Sequence, residues 1–242
     1  MEKSFPDKKR REVLSELEKR LCYSFRDITF LETALTHRSY VNENPQLAIA
    51  DNERYEFLGD AVLGLCVSDL LIKKYADFSE GALSKIRAAI VNEKPLAELA
   101  HKLEIGNGLL LGKGEEISGG RSKDSLLANA LEAVIAAIYL DSGFTRTKNV
   151  LNKMIRPLLN DDSLHSPYFD YKTVLQEFCQ KRYKAAPVYM IVDSCGPDHA
   201  KTFEVKVTIA GRVMQSGSGK SKKEAEKQAA QKTWEELHDE KE

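Results

Sequence analysis

The stretch that decides the fold of the N-terminal part of the chain is residues 52–75, NERYEFLGDAVLGLCVSDLLIKKY. Apolar side chains would lie on nearly every side of a helix formed by this stretch, which is typical of a helix enclosed by others. Three acidic residues near its start interrupt the pattern: Glu53, Glu56 and Asp60. At about 100° per residue they lie within an arc of roughly 60°. We predict a buried central helix with carboxylates clustered at one end.

A second stretch of the same character runs from Asp124 to Leu140. Within it, Asn129 and Glu132 are surrounded by apolar residues, and their spacing of three places them on one face of a helix. Burying an unpaired carboxylate costs several kcal/mol, because the charge loses its water. We therefore expect a cation to compensate the acidic residues of both helices.

Two kinds of cation fit this pattern. Basic side chains such as Lys85, Arg87 or Arg121 would form ion pairs with the carboxylates and make the cluster structural. The alternative is a divalent metal ion, since Mg²⁺ and Mn²⁺ prefer oxygen ligands, which the carboxylates of two packed helices and water supply. Such a site can stabilise an in-line attack on a phosphodiester. The spacing of the residues alone leaves both alternatives open.

Residues 1–159 as a whole predict an all-helical domain. Apolar stripes at helical spacing begin at Leu14 and Leu31. Further helices are expected over residues 81–91, 93–103 and 145–159. Residues 106–120 contain six glycines and are expected to form a loop.

The pattern changes after residues 160–167, which are polar, end in proline and predict a linker. A helix is expected from Tyr171, followed by strands over 188–193, 203–209 and 212–216. A last helix should open at Ser221 with a capping box. We therefore predict an α+β protein, with an all-α domain over 1–159 and a small α-β-β-β-α domain over 168–242.

The composition excludes disordered and collagen-like chains, because 42% of the 242 residues are hydrophobic and 30% are charged. The longest strongly apolar run, Ala133 to Leu140, is short of the roughly 20 residues of a membrane helix. No apolar segment follows the basic start, so we expect a cytoplasmic protein. Four dispersed cysteines argue against a disulfide framework.

The charges are unevenly distributed along the chain. Residues 171–233 contain 12 Lys and Arg against 6 Asp and Glu, whereas the remainder contains 24 against 31. Lys222 and Lys223 fall in the first turn of the last helix, where the helix dipole disfavours cations. A solvated charge run would also fit this helix taken by itself. The excess of positive charge favours binding of the C-terminal domain to a polyanion.

Residues 52–63, NERYEFLGDAVL, resemble the signature of the ribonuclease III family. Other segments resemble further blocks of the family: EGALS at 80–84, LGKGEE at 111–116, LANALEA at 127–133 and YLD at 139–141. With the C-terminal domain included, the resemblance extends from about Leu14 to Leu237.

This resemblance implies a Mg²⁺ site, in which Mn²⁺ could substitute, with Glu56, Asp60, Asn129 and Glu132 as ligands. Asp60 and Glu132 would be the catalytic residues. Asn129 departs from the family pattern, which usually has Asp there; its carbonyl oxygen can still ligate or orient a water, but one negative charge is missing. Glu53 and Glu80 match supporting acidic positions, for which surface salt bridges are a comparable explanation.

The α-β-β-β-α order and three segments, YKTVLQE at 171–177, GPDH at 196–199 and SKKEAE at 221–226, resemble a double-stranded RNA-binding domain. Such domains contact successive minor grooves with the first helix and an inter-strand loop, and span about 16 base pairs. The implied RNA-binding residues are Gln176, Glu177, Pro197, His199, Lys220, Lys222, Lys223 and Lys227. The first helix and the loop would contact 2′-hydroxyls, whereas the lysines would hold phosphates.

These features together predict a Mg²⁺-dependent endoribonuclease of double-stranded RNA. The family resemblance implies that it cuts both strands and leaves 5′-phosphate and 3′-hydroxyl ends. The family resemblance implies roles in rRNA and mRNA maturation. Since each chain has one acidic cluster and a duplex needs two cuts, we expect a homodimer. No association with a membrane is expected. No nucleotide cofactor is expected either, because Met214 stands where a phosphate-binding loop ending at Gly219-Lys220-Ser221 needs glycine.

Two alternatives remain at this stage. The chain could be a non-catalytic RNA-binding regulator whose metal site is weakened by Asn129. It could also be a structural helical dimer in which the acidic residues only form ion pairs.

Overall fold

The computed structural model describes residues 8–76, 78–160, 171–195 and 201–239, which form two compact units. The first unit comprises the described parts of 1–73 and 87–164, and the second those of 74–86 and 165–242. Segment 74–86 groups here with the C-terminal residues, whereas the sequence places it in the N-terminal domain. The predicted α+β class is confirmed, because the first unit is helical and the second contains a three-stranded sheet.

Most of the helices predicted up to residue 160 are present in the structure. They are α1 (Lys8–Leu21), α2 (Thr29–Ala34), α3 (Arg38–Glu43), α4 (Glu53–Lys74), α5 (Glu80–Ile90), α6 (Glu93–Lys102), α7 (Ile105–Gly108), α8 (Lys113–Ile117), α9 (Asp124–Ser142) and α10 (Phe144–Asn160). Short 3₁₀ turns occur at Pro45–Leu47 and Gly120–Ser122. Asn160 belongs to α10 rather than to the predicted linker, and the rest of that linker lies outside the described residues.

The expectation of a loop over residues 106–120 is wrong in part, because α7 and α8 lie within or next to this segment. Its glycines permit close packing. A Cβ on Gly106 would stand 2.3 Å from the carbonyl oxygen of Arg121, and one on Gly112 would stand 2.7 Å from that of Ser39. These glycines therefore let neighbouring backbones approach each other.

Helix α9 lies at the centre of the first unit, with ten of its residues buried. Among the described helices, α9 alone is long and apolar enough to cross a membrane by composition. Burial against its neighbours accounts for this composition, as in the core helix of a globular unit. The expectation that α4 is the enclosed central helix is wrong, because α4 buries one side, through residues that include Val62 and Val67, and exposes large apolar residues on another.

Helices α4 and α9 lie in close contact at Gly59. A Cβ at this position would stand 1.8 Å from the carbonyl oxygen of Glu132, closer than any real contact. Glycine is therefore required where the two helices meet. Because Glu56 and Asp60 flank Gly59 in sequence, this contact brings the acidic ends of both helices together.

The second unit has the predicted order of elements: α11 (Tyr171–Tyr183), β1 (Val188–Cys195), β2 (Thr202–Ile209), β3 (Arg212–Gly219) and α12 (Lys222–Asp239). The strands form an antiparallel sheet in the order β1-β2-β3. Ala210 and Gly211 connect β2 to β3 with positive φ angles of 48° and 82°, as a tight hairpin requires. The core contains the inward residues of β2 and the apolar faces of α11 and α12.

Helix α12 packs directly on β3 because small residues face each other. A Cβ on Gly217 would stand 2.2 Å from the amide nitrogen of Ala229, and one on Gly219 would stand 2.7 Å from that of Ala225. Ser221 caps the helix by accepting a hydrogen bond from the amide of Glu224 (3.2 Å). The Glu224 carboxylate accepts in turn from the amide of Lys220 (2.8 Å), one residue before the position that a capping box predicts.

Candidate active site and nucleic-acid interface

One cavity of about 540 Å³ in the first unit brings together five of the residues predicted from the sequence. They are Glu53, Glu56 and Asp60 of α4 and Asn129 and Glu132 of α9. The helical spacings of three and four place each group on one face, and the close approach at Gly59 joins the two faces. The acidic cluster inferred from the sequence is therefore a single site in space.

Burial and mutual repulsion alter the acidity of two of these carboxylates. Burial, followed by the charges of Asp60 and Glu56, raises the pKa of Glu132 to about 7. The pKa of Glu56 is also raised, by burial and by the charge of Glu53, although a hydrogen bond with Asn129 opposes the shift. Near neutral pH the acidic cluster therefore tends to retain a proton.

Two of the three basic residues considered as ion-pair partners, Arg87 and Arg121, are engaged elsewhere. Arg121 binds Glu116 at 2.6 and 2.7 Å and donates to the carbonyl oxygens of Gly106 and Leu109. Arg87 donates to the hydroxyl of Ser68. Within the described residues, Glu56, Asp60 and Glu132 form no salt bridge, which disfavours a structural ion-pair cluster.

The two supporting acidic residues have local partners. Arg38 donates to the carboxylate of Glu53 at 3.0 Å in a solvent-exposed pair. Glu80 belongs to the second unit, where its carboxylate accepts a hydrogen bond from Ser84 at 2.7 Å. Glu53 thus lies at the cavity as part of an ion pair, and a supporting role for Glu80 stays a prediction.

The donor set of the cavity suits a hard divalent ion. Three carboxylates and one amide supply oxygen atoms, which Mg²⁺ prefers, and Mg²⁺ usually keeps several waters instead of a complete protein cage. No three Asp, Glu, His or Cys side chains among the described residues are already gathered around one point as ligands. Carboxylates without a cation repel one another, so an open arrangement is the expected one.

Two residues of the cavity wall, His37 and Asn52, were not predicted from the sequence. The buried Asn52 donates its amide nitrogen to Thr36 (2.9 Å) and its side chain to Ala34 (3.2 Å), and its carbonyl oxygen accepts from Glu56 (2.8 Å). Asn52 therefore ties the start of α4 to the segment that carries His37. Asn before a helix is a common capping signal, but this long-range partner leaves no trace in the sequence.

The second unit presents part of the predicted RNA-binding set. Lys220, Lys222 and Lys223 are exposed at the start of α12, and Gln176 is exposed on α11. Glu177 accepts a hydrogen bond from the hydroxyl of Ser79, a residue of the same unit. Lys227 follows one turn later on α12 and is half-buried, whereas Pro197 and His199 lie outside the described residues.

Comparison with known families identifies both parts of the chain. Residues 27–159 match the family described as Ribonuclease-III-like, and residues 171–237 match the double-stranded RNA binding motif. Ribonuclease 3 of Syntrophobacter fumaroxidans is 50% identical over 223 residues, which cover 90% of this chain and 92% of that protein. Ribonuclease 3 of Treponema denticola is 44% identical over a match that covers 97% of this chain and 95% of that protein.

Solved structures agree for the N-terminal part. The nuclease domain of ribonuclease III from Campylobacter jejuni matches with a TM-score of 0.56 and 45% identity. The match covers 59% of this chain and 96% of that one. That structure is described as flexible in a region involved in dimer formation.

Proposed function

The chain belongs to the ribonuclease III family and is an endonuclease of double-stranded RNA, and we propose that it cuts RNA at the cavity lined by α4 and α9. The observation that carries this proposal is the convergence of Glu56, Asp60 and Glu132 on one cavity, without a basic partner among the described residues. A polyanionic substrate would not enter such a site unless a cation joined the carboxylates.

Mg²⁺ is the proposed cation, with Mn²⁺ as a substitute, and Glu56, Asp60, Asn129 and Glu132 would hold it. When bound, the ion supplies positive charge that stabilises the charge developing on the attacked phosphodiester. Asp60 is exposed and Glu132 half-buried, so these two carboxylates would orient water between the floor of the cavity and the RNA. We assign the catalytic roles to them.

The C-terminal unit is the proposed grip for the duplex. Lys222 and Lys223 add positive charge to a helix start that already favours phosphate, with Lys220 just before it and Lys227 one turn later. Gln176 and Glu177 on α11, together with Pro197 and His199, would contact 2′-hydroxyls in the minor grooves. Recognition of this kind responds to the A-form shape and favours RNA over DNA duplexes.

The active form is proposed to be a homodimer. Helix α4 exposes an apolar stripe of Phe57, Leu65 and Ile72, which are 82%, 57% and 61% exposed. At 100° per residue the stripe occupies an arc of roughly 80° beside the acidic face. Large apolar side chains on a regular face are typical of an interface. A region for dimer formation in the Campylobacter jejuni nuclease domain is consistent with this assignment.

Two cavities in one dimer would make one cut in each strand and leave 5′-phosphate and 3′-hydroxyl ends. The expected cellular roles are those of the family, the maturation of rRNA and mRNA, and the expected location is the cytoplasm.

The test of the site is cleavage of a long RNA duplex, with Mg²⁺ or with EDTA, by the wild type and by Glu132→Gln. Gln keeps the size of the side chain and removes its charge, so we expect cleavage to fall by at least about 100-fold, the order of losing one charge-stabilising group. Glu98→Gln, at an exposed position of α6, is the matched control and should cleave normally.

Other outcomes would point elsewhere. Duplex binding without cleavage by the wild type in Mg²⁺ would indicate a non-catalytic regulator. Full cleavage by Glu132→Gln would place the reaction outside this cavity.

A further inference from the structure

His37 lines the same cavity as Glu56, Asp60 and Glu132. A phosphodiester that enters the cavity needs hydrogen-bond donors for its non-bridging oxygens, besides a metal ion. Among the residues of the described chain that line the cavity, four side chains carry nitrogen: His37, Arg38, Asn52 and Asn129.

The four nitrogen-bearing side chains differ in charge and in how they are engaged within the protein. Asn52 donates to the carbonyl oxygen of Ala34, and Asn129 interacts with Glu56. Arg38 donates to Glu53 through one of its N–H groups and keeps others, but it is a cation in a solvent-exposed ion pair. His37 is the uncharged donor of the cavity wall whose Nε2 has no hydrogen-bond partner among the described residues.

The hydrogen bonds of His37 determine which of its ring nitrogens carries the proton. Nδ1 accepts from the amide of Ser39 at 3.3 Å and lies 2.8 Å from the Ser39 hydroxyl oxygen. That hydroxyl oxygen also accepts from the amide of Gly112 at 2.9 Å, and its own hydrogen is available to Nδ1, which already accepts from the amide of Ser39. With Nδ1 as an acceptor, the proton of the neutral ring lies on Nε2.

The backbone around His37 is fixed from both sides. Its amide donates to the carbonyl oxygen of Leu110 at 3.0 Å, and the carbonyl oxygen of the preceding Thr36 accepts from Asn52 at 2.9 Å. Asn52 also starts α4, which carries Glu56 and Asp60. The ring therefore has a set position relative to the carboxylates before any ligand arrives.

We propose that His37 donates its Nε2–H to a non-bridging phosphate oxygen of the RNA strand in the cavity and so positions the phosphodiester for attack. The inference rests on the proposed function of this cavity. A neutral donor suits the place, since a cation beside the carboxylates would compete with the metal ion for them. Partial burial lowers the pKa of His37, in agreement with a neutral ring.

The test must separate this contact from the other role of His37, which caps α3 through Nδ1. His37→Asn keeps a capping acceptor for the amide of Ser39 but is too short to donate as Nε2 does. His37→Ala removes both roles. Exposed His101 on α6 provides the control substitution His101→Asn.

We expect His37→Asn to keep the melting temperature of the wild type and to lower kcat for duplex RNA by about 100-fold, the cost of one lost donor to a transition state. KM should change by less than about threefold, because the C-terminal unit provides most of the binding. His37→Ala should show the same loss of kcat with a lower melting temperature, and His101→Asn should match the wild type. Wild-type cleavage by His37→Asn would overturn the proposal.

A substrate with sulfur at one non-bridging oxygen of the scissile phosphate gives a second readout. In the wild type, sulfur at the oxygen that His37 contacts should slow cleavage, and Mn²⁺ should not restore it. The same sulfur should have no further effect in His37→Asn. Equal sulfur effects in both proteins would overturn the proposal. A failure of Glu132→Gln to reduce cleavage would instead count against the cavity itself.

Discussion

Asn129 stands where the family resemblance implies Asp, and its effect on the metal can be measured. Asn129→Asp would add a carboxylate to the cavity and replace the present hydrogen bond with Glu56 by a repulsion. We expect the Kd for Mg²⁺ to fall by about tenfold, equivalent to about 1.4 kcal/mol. Isothermal titration calorimetry measures it, with Asn149→Asp, at an exposed position of α10, as the charge-matched control.

The metal-free Asn129→Asp protein should also be less stable than the wild type, since five carboxylates would then line the cavity. Equal Mg²⁺ affinities of Asn129→Asp and the wild type would show that residue 129 does not contact the ion.

Glu132 makes the stability of the metal-free protein depend on pH. Its pKa is raised from 4.5 to about 7 by burial and by Asp60 and Glu56, so the folded chain holds a proton that the unfolded chain has lost. This contribution is fully present below about pH 4.5 and is lost as the pH rises through 7. At pH 8 the ionised Glu132 therefore lowers the free energy of unfolding unless a cation is bound.

In EDTA, Glu132→Gln should therefore equal the wild type in stability near pH 4.5 and exceed it at pH 8. We expect a gain of about 1–2 kcal/mol, reduced from the full value of the shift because the side chain keeps part of its solvent. Urea denaturation at both pH values measures the difference, with Glu98→Gln as the control. A variant less stable than the wild type at pH 8 in EDTA would contradict this account.

The contact of α4 with α9 depends on Gly59. Gly59→Ala would place a Cβ 1.8 Å from the Glu132 carbonyl oxygen, and neither backbone can yield without moving its helix. We expect a loss of about 1–3 kcal/mol in the free energy of unfolding, the usual cost of overpacking, together with weaker Mg²⁺ binding. Gly114→Ala in α8 is the control, since a Cβ there would meet no atom within 4 Å. A normal melting temperature for Gly59→Ala would show that the helices can separate freely.

The long elements could be predicted from the sequence because each obeys one periodicity. Helices α4 and α9 were predicted to within two residues of their observed ends, and the alternation in β2 identified that strand. Residues 106–120 could not be predicted in the same way. In the sequence, Gly106 and Gly112 indicate flexible backbone. In the folded protein they lie against neighbouring backbone at positions where a Cβ would clash.

Some residues of the candidate site could be predicted from helical spacing, whereas others could not. Glu56 and Asp60 share a helix face, as do Asn129 and Glu132, so the spacing predicts each pair. His37 reaches the cavity through a hydrogen bond to Leu110 and through the link from Thr36 to Asn52. Contacts between residues so far apart depend on the folded chain, which no local pattern encodes.

The charged side chains of the two units suit different functions, cleavage in the first unit and RNA binding in the second. The first unit carries the acidic cavity, and the second unit supplies lysines at the start of α12. The carboxylates of the cavity repel RNA unless cations bind, so we expect the lysines of the second unit to supply much of the affinity. This separation allows binding and cleavage to be altered independently.

A complete duplex cut requires two cavities. The apolar stripe of α4 should therefore determine both the oligomeric state of the protein and the products of RNA cleavage. Leu65 is 57% exposed on this stripe and does not line the cavity, so Leu65→Glu would place a charge in the interface and leave the site intact. We expect light scattering to show a dimer for the wild type and a monomer for Leu65→Glu at micromolar concentration. The monomer should release few double-stranded fragments. Leu47→Glu, at another exposed leucine, is the control, and a dimeric Leu65→Glu would remove this stripe from the interface.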